Sequence, residues 1–254
     1  LYQNMGWYYR RLVVPRILPK CRKIVTVSHF ERDRIRETLH LPEDRILAVH
    51  NGFSSYFHPL DNIKAVTQKY IPATGYLFFL GNTDPKKNTP RTLKAYHLYL
   101  QQSKEKRPLL IADLKPEYVD EILKETGLED IRPYLHLPGY IANTDLPFIY
   151  NGAFTFLYTS LRESFGIPLL EAMACGIPVI TSNTSSMPEI GGEGAILTDP
   201  ADEQSIAVQL LLLEQDKEYY LKQSAYGLGR AKCFSWEQTA RKLLKLYQST
   251  VKSK

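Results

Sequence analysis

Short runs of apolar residues alternate along this chain with longer segments in which apolar positions recur every three or four residues. The short runs are apolar on both faces and end at turn residues, which is typical of strands buried in a parallel sheet. The longer segments have the period of amphipathic helices. The pattern predicts strands at residues 24–27, 46–50, 76–81, 109–112, 134–137, 154–158, 178–181 and 195–197. It predicts helices near residues 30–39, 88–103, 116–126, 144–151, 167–175, 202–214, 216–232 and 236–252.

This alternation of strands and helices is typical of βαβ units. We therefore predict an α/β fold built on a doubly wound parallel sheet. Residues that can cap a helix precede three of the predicted helices, at residues 113–116, 143–145 and 199–202. We expect side chains in these segments to bond the first free amides of each helix.

A domain boundary is predicted after Asn51 and Gly52, where the chain becomes rich in turn formers and aromatic residues,. The preceding part holds too few elements for a domain of its own. We predict that residues 1–58 are the trailing part of an N-terminal domain and that residues 59–235 form a complete domain. Residues 236–254 are expected to form a separate C-terminal helix.

Composition excludes several classes of protein. Apolar residues make up 44% of the chain and charged residues 23%, which is typical of a folded globular protein,. The 3 cysteines are far apart and fit neither a disulfide framework nor a zinc site, so we expect a reducing, cytoplasmic location,. The sequence has no apolar run long enough to span a membrane, and its first residues lack the apolar segment and the cleavage site expected of a signal peptide. It does not begin with Met, so we expect it to be part of a longer protein.

Positive charge is concentrated at the start of the chain. The first thirty residues contain six basic and no acidic residues, and the remainder has a net charge of −1. This distribution argues against nucleic acid as a partner. Trp7, Tyr8 and Tyr9 beside two arginines leave two interpretations open: a peripheral contact with the inner face of a membrane, or packing against a further domain. We favour packing, since Pro15 and Pro19 interrupt any long amphipathic helix.

The richest chemical signal lies between residues 161 and 181. A predicted strand is followed by a loop with Glu163, then by Gly166, which permits a tight turn, and by Pro168 at a helix start,. A helix that begins directly after a strand offers amides and a positive dipole end to an anion such as phosphate. Glu163 and Glu171 flank that position and suit the hydroxyl groups of a sugar nucleotide. The alternative is that Glu163 caps a helix and Glu171 is solvated.

This segment resembles the donor-site signature of the retaining glycosyltransferases of family 4 (group 1), which have two Rossmann-like domains in the B-type fold. The matching residues are Glu163-x7-Glu171 and the intervening SFGIPLL. Residues 80–89, LGNTDPKKNT, resemble the glycine loop and lysine of the same family. Further matches follow in chain order at Val27-Ser28, Asn51-Gly52, Pro138-Gly139-Tyr140 and residues 183–189. The predicted helix at residues 236–254 resembles the last helix of the family, so the resemblance implies that it crosses back toward the N-terminal domain.

The resemblance implies a role for each matching residue. Lys87 would meet the donor diphosphate and offset charge on the leaving nucleotide. Glu163 would bind the donor sugar, Glu171 the ribose hydroxyls, and the amides of residues 166–169 the phosphate oxygens. The implied catalytic residues are Lys87 and Glu163. The implied donor-binding residues are Gly81, Asn82, Gly139, Tyr140, Ile141, Gly166, Ile167, Pro168, Leu169 and Glu171.

One position departs from the family pattern. Many members carry an arginine directly after the loop glycine, where it pairs with the lysine on the diphosphate. This chain has Asn82 there, and Lys86 is a differently placed substitute. Asn82 can bond a phosphate oxygen but brings no charge, so the diphosphate contact is expected to differ in this chain.

The resemblance implies a retaining hexosyltransferase. It would move a hexose from a nucleoside diphosphate sugar to a saccharide or lipid-linked acceptor in polysaccharide or glycolipid synthesis. No metal and no cofactor are expected, since the nucleotide sugar is a substrate. The chain alone is expected to hold the donor site without turning over. The alternatives are a nucleotide-sugar epimerase or phosphorylase relative of the same fold and a non-catalytic nucleotide-sugar-binding domain. The histidines show no catalytic spacing: His29, His40, His50, His58, His97 and His136.

Overall fold

The computed structural model describes residues 2–252, with side chains from residue 5 to residue 251. The strands are β1 (Ile24–Thr26), β2 (Ile46–Ala48), β3 (Tyr76–Leu80), β4 (Leu109–Ala112), β5 (Leu135–Gly139), β6 (Ala153–Tyr158), β7 (Val179–Ser182) and β8 (Ile196–Thr198). The helices are α1 (Tyr2–Tyr8), α2 (Val14–Ile17), α3 (His29–Leu39), α4 (Lys64–Thr67), α5 (Thr89–Gln102), α6 (Pro116–Thr126), α7 (Leu146–Gly152), α8 (Ile167–Ala174), α9 (Met187–Gly191), α10 (Glu203–Gln215), α11 (Lys217–Ala231) and α12 (Trp236–Lys252).

Each strand and helix predicted from the hydrophobic pattern is present, with ends that differ by at most two residues. The pattern did not predict four short helices: α1, α2, α4 and α9. They are too short for an apolar period to develop. No helix among the described residues is both long enough and apolar enough to cross a bilayer.

The chain forms two compact units, Leu1–Gly52 with Ser235–Lys254 and Phe53–Phe234. In the first unit β1 pairs in parallel with β2, and Ile24, Leu41 and Ile46 form a small core. The final helix α12 belongs to the same unit, where the Thr239 hydroxyl donates to the His50 carbonyl at 2.6 Å. The domain boundaries predicted after residues 58 and 235 stay a prediction.

Gly52 is required by close approach within the first unit. A Cβ at this position would lie 2.0 Å from the Trp236 backbone nitrogen. In the same unit the rings of His29 and His50 meet edge to face, 5.3 Å apart between centroids. The sequence did not predict this proximity, because 20 residues, which include most of α3 and all of β2, separate the two histidines.

The second unit is built on a six-stranded, fully parallel sheet with the strand order β5-β4-β3-β6-β7-β8. This confirms the predicted doubly wound α/β fold. One face packs Leu77, Phe79 and Ile111 against α5, α6 and α10. The other face carries Phe78 and Phe156, whose rings contact that of Tyr150 from α7. The strand order reverses between β3 and β6, the position at which such sheets bind ligands.

The predicted helix caps are right at one start and wrong at two. The Asp202 carboxylate accepts a hydrogen bond from the Ser205 amide at the start of α10. The starts of α6 and α7 have no side-chain cap. Before α7, the Asp145 carboxylate accepts a hydrogen bond from the Tyr70 hydroxyl at 2.8 Å instead. A tertiary partner has therefore replaced the local one.

Candidate active site

The ends of β3 and β6 bring a lysine and a glutamate together at the switch point of the sheet. β3 continues into a short 3-10 helix, Pro85–Lys87, and β6 continues into the loop that carries Glu163. Because β3 and β6 are parallel neighbours, the two loops leave the same edge. The Lys87 Nζ lies 2.7 Å from the Glu163 Oε1, and the two side chains are only 19% and 14% exposed.

Asn88 fixes the lysine loop and was not identified from the sequence. It adopts the left-handed conformation (φ 62°) and is only 3% exposed. Its Nδ2 donates to the Thr159 carbonyl at 3.1 Å and to the Pro200 carbonyl at 2.8 Å. The Leu161 amide donates to the Lys86 carbonyl at 2.7 Å, which joins the same two loops. Asparagine tolerates a positive φ, and this was the available sequence signal.

The Glu163 loop is held by hydroxyl groups on its other side. The Glu163 amide donates to the Ser185 Oγ at 3.1 Å, and the Ser186 hydroxyl donates to the Glu163 carbonyl at 2.9 Å. The Tyr158 ring lies 5.1 Å from the Lys87 Nζ. Burial raises the pKa of Tyr158 well above its ordinary value, so its hydroxyl stays a donor.

Gly166 turns the chain from this loop into α8. Its φ of +104° is accessible mainly to glycine, and a Cβ there would lie 2.6 Å from the Met187 Cε,. The expected row of amides at residues 166–169 is shorter than predicted. Pro168 has no N–H, and the Leu169 amide donates to the Gly166 carbonyl at 3.2 Å,. An anion at this helix start would therefore meet the amides of Gly166 and Ile167.

Glu171 lies one turn into α8 in a partly buried position. The Tyr150 hydroxyl donates to its Oε2 at 3.4 Å. Burial raises the pKa of Glu171 from 4.5 to about 7, with the Tyr150 hydrogen bond acting in the opposite direction. The alternative of a solvated Glu171 therefore does not describe this side chain, whose charge is desolvated by the fold.

The other predicted site residues follow β3 and β5. A Cβ at Gly81 would lie 2.4 Å from the Leu114 Cδ1, so this glycine serves close packing. The Asn82 Oδ1 accepts from the Asp84 amide at 2.9 Å, and the Lys86 ammonium pairs with the Asp84 carboxylate at 3.4 Å. Of these two adjacent lysines, Lys86 therefore pairs with Asp84, whereas Lys87 pairs with Glu163.

At the end of β5, Gly139 has a φ of +74° and its carbonyl accepts from the Asp113 amide at 2.8 Å. Tyr140 is 71% exposed, whereas Ile141 is 2% exposed. The side chain of Tyr140 is accessible to a ligand, and Ile141 offers only its backbone. β5 is the edge strand and lies two positions from β3, so this loop is separated from the lysine loop along the sheet edge.

Models of known protein families match most of this chain. The sequence profile described as "Glycosyl transferases group 1" matches residues 68–230. This chain belongs to the group 1 glycosyltransferases. A second profile, "Glycosyltransferase Family 4", matches residues 1–55 of this group 1 chain.

Similar proteins include the "O-antigen chain mannosyltransferase B" of Escherichia coli, 34% identical over 235 residues, which cover 91% of this chain and 61% of that protein. The "Serotype-specific mannosyltransferase WbdA" of the same species is 29% identical over 85% of this chain and 27% of its own length. This group 1 chain therefore spans less than two thirds of these relatives.

Two solved structures share the fold. The sucrose-phosphate synthase of Thermosynechococcus elongatus superposes with a TM-score of 0.80 at 23% identity, covering 96% of this chain and 62% of that one. HepE of Anabaena, solved with UDP and glucose, has a TM-score of 0.80 at 16% identity, covering 93% of this chain and 66% of that one. The B-type glycosyltransferase fold predicted for this chain is confirmed.

Proposed function

We propose that this chain carries the donor site of a retaining glycosyltransferase that transfers a mannosyl residue from a nucleotide sugar to a saccharide or lipid-linked acceptor. The observation that carries the proposal is the partly buried Lys87–Glu163 pair at the switch point of the sheet. The names of the relatives support mannose as the hexose and O-antigen-type polysaccharide as the product.

The proposed roles follow from charge and geometry. The donor diphosphate lies between the Lys87 ammonium and the start of α8, where the Gly166 and Ile167 amides and the positive end of the helix dipole favour an anion. As the bond from the sugar to the diphosphate breaks, negative charge grows on the leaving oxygen. A fixed cation at that oxygen lowers the barrier more than it stabilises the bound donor.

The two carboxylates bind the hydroxyl-rich ends of the donor. Glu163 lies beside Lys87 and accepts hydrogen bonds from the sugar, and Glu171 accepts them from the ribose. Tyr140 is placed to contact the base. With Lys87 and the helix start opposite the diphosphate, the proposal includes no metal and no cofactor.

The charge of the first unit supports a peripheral contact with an anionic membrane, from which a lipid-linked acceptor would be drawn. This unit contains 15 basic and 6 acidic residues, a net charge of +9, whereas the second unit contains 17 and 21, a net charge of −4. A cleft of about 650 Å³ in the first unit is lined by four cations, the Asp44 carboxylate and two hydroxyls. The cations are Lys20, Arg22, Lys23 and Arg45, and the hydroxyls belong to Ser249 and Thr250.

A binding screen tests the proposed donor site. Isothermal titration of this chain with GDP-mannose, UDP-glucose and ADP-glucose should show saturable binding of at least one, and GDP-mannose is expected to bind best. Absence of binding by all three would contradict the proposal. Separating the products after incubation with donor alone should show no epimerised sugar; a new epimer would favour the epimerase alternative.

A further inference from the structure

Lys87 and Glu163 are assigned to different parts of the donor, yet their side chains bond each other directly. The 2.7 Å contact is an ammonium-to-carboxylate hydrogen bond, which is about twice as strong as a neutral one,. Both side chains are largely buried, so solvent screens the pair weakly,. A phosphate that binds Lys87 therefore competes with Glu163 for the same cation.

The competition has different outcomes for the nucleotide sugar and for the nucleoside diphosphate. In the transfer the bond from the sugar C1 to the diphosphate oxygen breaks with its electron pair on that oxygen. A bond forms from C1 to the acceptor oxygen, whose proton passes to solvent. The released diphosphate thus carries one more negative charge than the donor, at the atom that held the sugar.

A carboxylate beside the diphosphate oxygen that held the sugar favours binding of the donor over binding of the product. With the nucleotide sugar, hydroxyl groups of the sugar replace Lys87 as hydrogen-bond donors to Glu163. With the nucleoside diphosphate there is no hydroxyl at this place, and the carboxylate faces a more negative phosphate. An acceptor-only group that loses its donor in a partly buried site is unfavourable, and like charges add to the effect.

The surroundings leave Glu163 little freedom to withdraw. Its amide and carbonyl are bonded to Ser185 and Ser186 on the far side of the loop. These contacts hold the backbone of Glu163 in place, so the carboxylate stays within reach of the Lys87 ammonium and of a phosphate bound to it.

We infer that Glu163 sets the ratio of affinities of this site for nucleotide sugar and for nucleoside diphosphate, and so promotes product release. This inference rests on the proposed function. Glu163 would be a specificity-determining residue in addition to its contact with the sugar. When the donor binds, Lys87 would bond the phosphate in place of Glu163, and Glu163 would bond the sugar hydroxyls in place of Lys87.

The test compares Glu163→Gln with the wild-type chain by calorimetric titration of GDP and GDP-mannose, or of UDP and UDP-glucose if the screen selects that pair. Glutamine keeps the size of the side chain and removes its charge. We expect the nucleoside diphosphate to bind roughly tenfold more tightly and the nucleotide sugar to bind no better, as for removal of one charged partner. Glu163→Asp keeps the charge and should retain the weak binding of the diphosphate.

Asp84→Asn is the matched control. It also replaces a carboxylate with an amide beside the lysines, but its side chain is 48% exposed and pairs with Lys86. We expect it to change both affinities by less than twofold. Thermal melting of each variant checks that it is folded.

Three results are decisive. An unchanged ratio of affinities in a folded Glu163→Gln variant would overturn the inference and leave the proposed function standing. An equal gain in Asp84→Asn would also overturn it, since general charge would then explain the effect. If the wild-type chain binds neither probe, the proposed function itself fails, and the inference fails with it.

Discussion

The carboxylate of Glu171 is buried at a cost to the fold, and the variant Glu171→Gln measures that cost. Burial raises its pKa from 4.5 to about 7. Because one pKa unit corresponds to about 1.4 kcal/mol, the ionised side chain destabilises the folded protein by at most about 3 kcal/mol above pH 7. Glutamine fills the same space, can accept the hydrogen bond from Tyr150 and carries no charge.

The sign of the pH dependence follows from proton binding. Between pH 4.5 and about 7 the folded protein holds a proton on Glu171 that the unfolded chain has already released. The free energy of unfolding of the wild-type chain therefore falls across this window, as far as this group is concerned. The free energy of unfolding of Glu171→Gln does not fall in this way, because glutamine does not ionise. Its advantage over the wild type should be small near pH 5 and should grow to about 2–3 kcal/mol at pH 8.

Urea denaturation at pH 5 and pH 8 measures the difference directly. The control is Glu121→Gln in α6, an exposed helical position that should match the wild type at both pH values. An advantage of Glu171→Gln that does not grow between the two pH values would refute the argument. The same variant should bind the donor more weakly, because an amide accepts fewer hydroxyl hydrogen bonds than a carboxylate. Stability and binding would then change in opposite directions at one position.

Three further predictions concern other features. Asn88→Gly keeps the left-handed backbone but removes two buried hydrogen bonds. It should therefore lower the free energy of unfolding, measured in urea, by about 1–3 kcal/mol and weaken donor binding. Wild-type values for both quantities would contradict the role of Asn88. Gly166→Ala should lower stability by about 2 kcal/mol or more, whereas Gly229→Ala, a helical position with open space, should not; equal melting temperatures of the two variants would oppose this account,. This chain should co-sediment with vesicles containing phosphatidylglycerol and not with vesicles of pure phosphatidylcholine, because basic residues near the surface are attracted to anionic lipids. The double variant Lys20→Glu with Arg22→Glu should abolish the binding. Retention of binding by the double variant would argue against the basic cleft.

The sequence predicted the fold well because its strands carry strong local signals. Runs such as Tyr76–Leu80 are apolar on both faces and end at turn residues, so their place in a parallel sheet follows from periodicity alone,. The proximity of Lys87 and Glu163 could also be predicted from the sequence, because the carboxyl ends of strands in such a sheet lie at one edge.

Other features depend on tertiary contacts that no local pattern records. The burial of Glu171 depends on the aromatic side chain of Tyr150, which approaches from α7. Asn88 bonds the carbonyl groups of Thr159 and Pro200, far away in the sequence. The predicted cap at residues 143–145 was wrong because Asp145 bonds Tyr70 instead.

The first unit shows how topology also changes the interpretation of charge. In the sequence alone, the positive charge is concentrated in the first thirty residues. The structure groups α12 with that segment, and residues 235–254 add five basic residues and one acidic residue. The resulting net charge of +9 on one unit was not visible before the fold was known.

We propose that Lys87 binds the donor diphosphate at the switch point of the sheet. Calorimetric titration of the nucleotide sugar selected by the screen, into the wild type, Lys87→Ala and Lys86→Ala, tests it most directly. We expect Lys87→Ala to lose at least tenfold in affinity, as for a charge-assisted contact, and Lys86→Ala to stay within threefold of the wild type. Equal affinities of Lys87→Ala and the wild type, with saturable binding in both, would contradict the account.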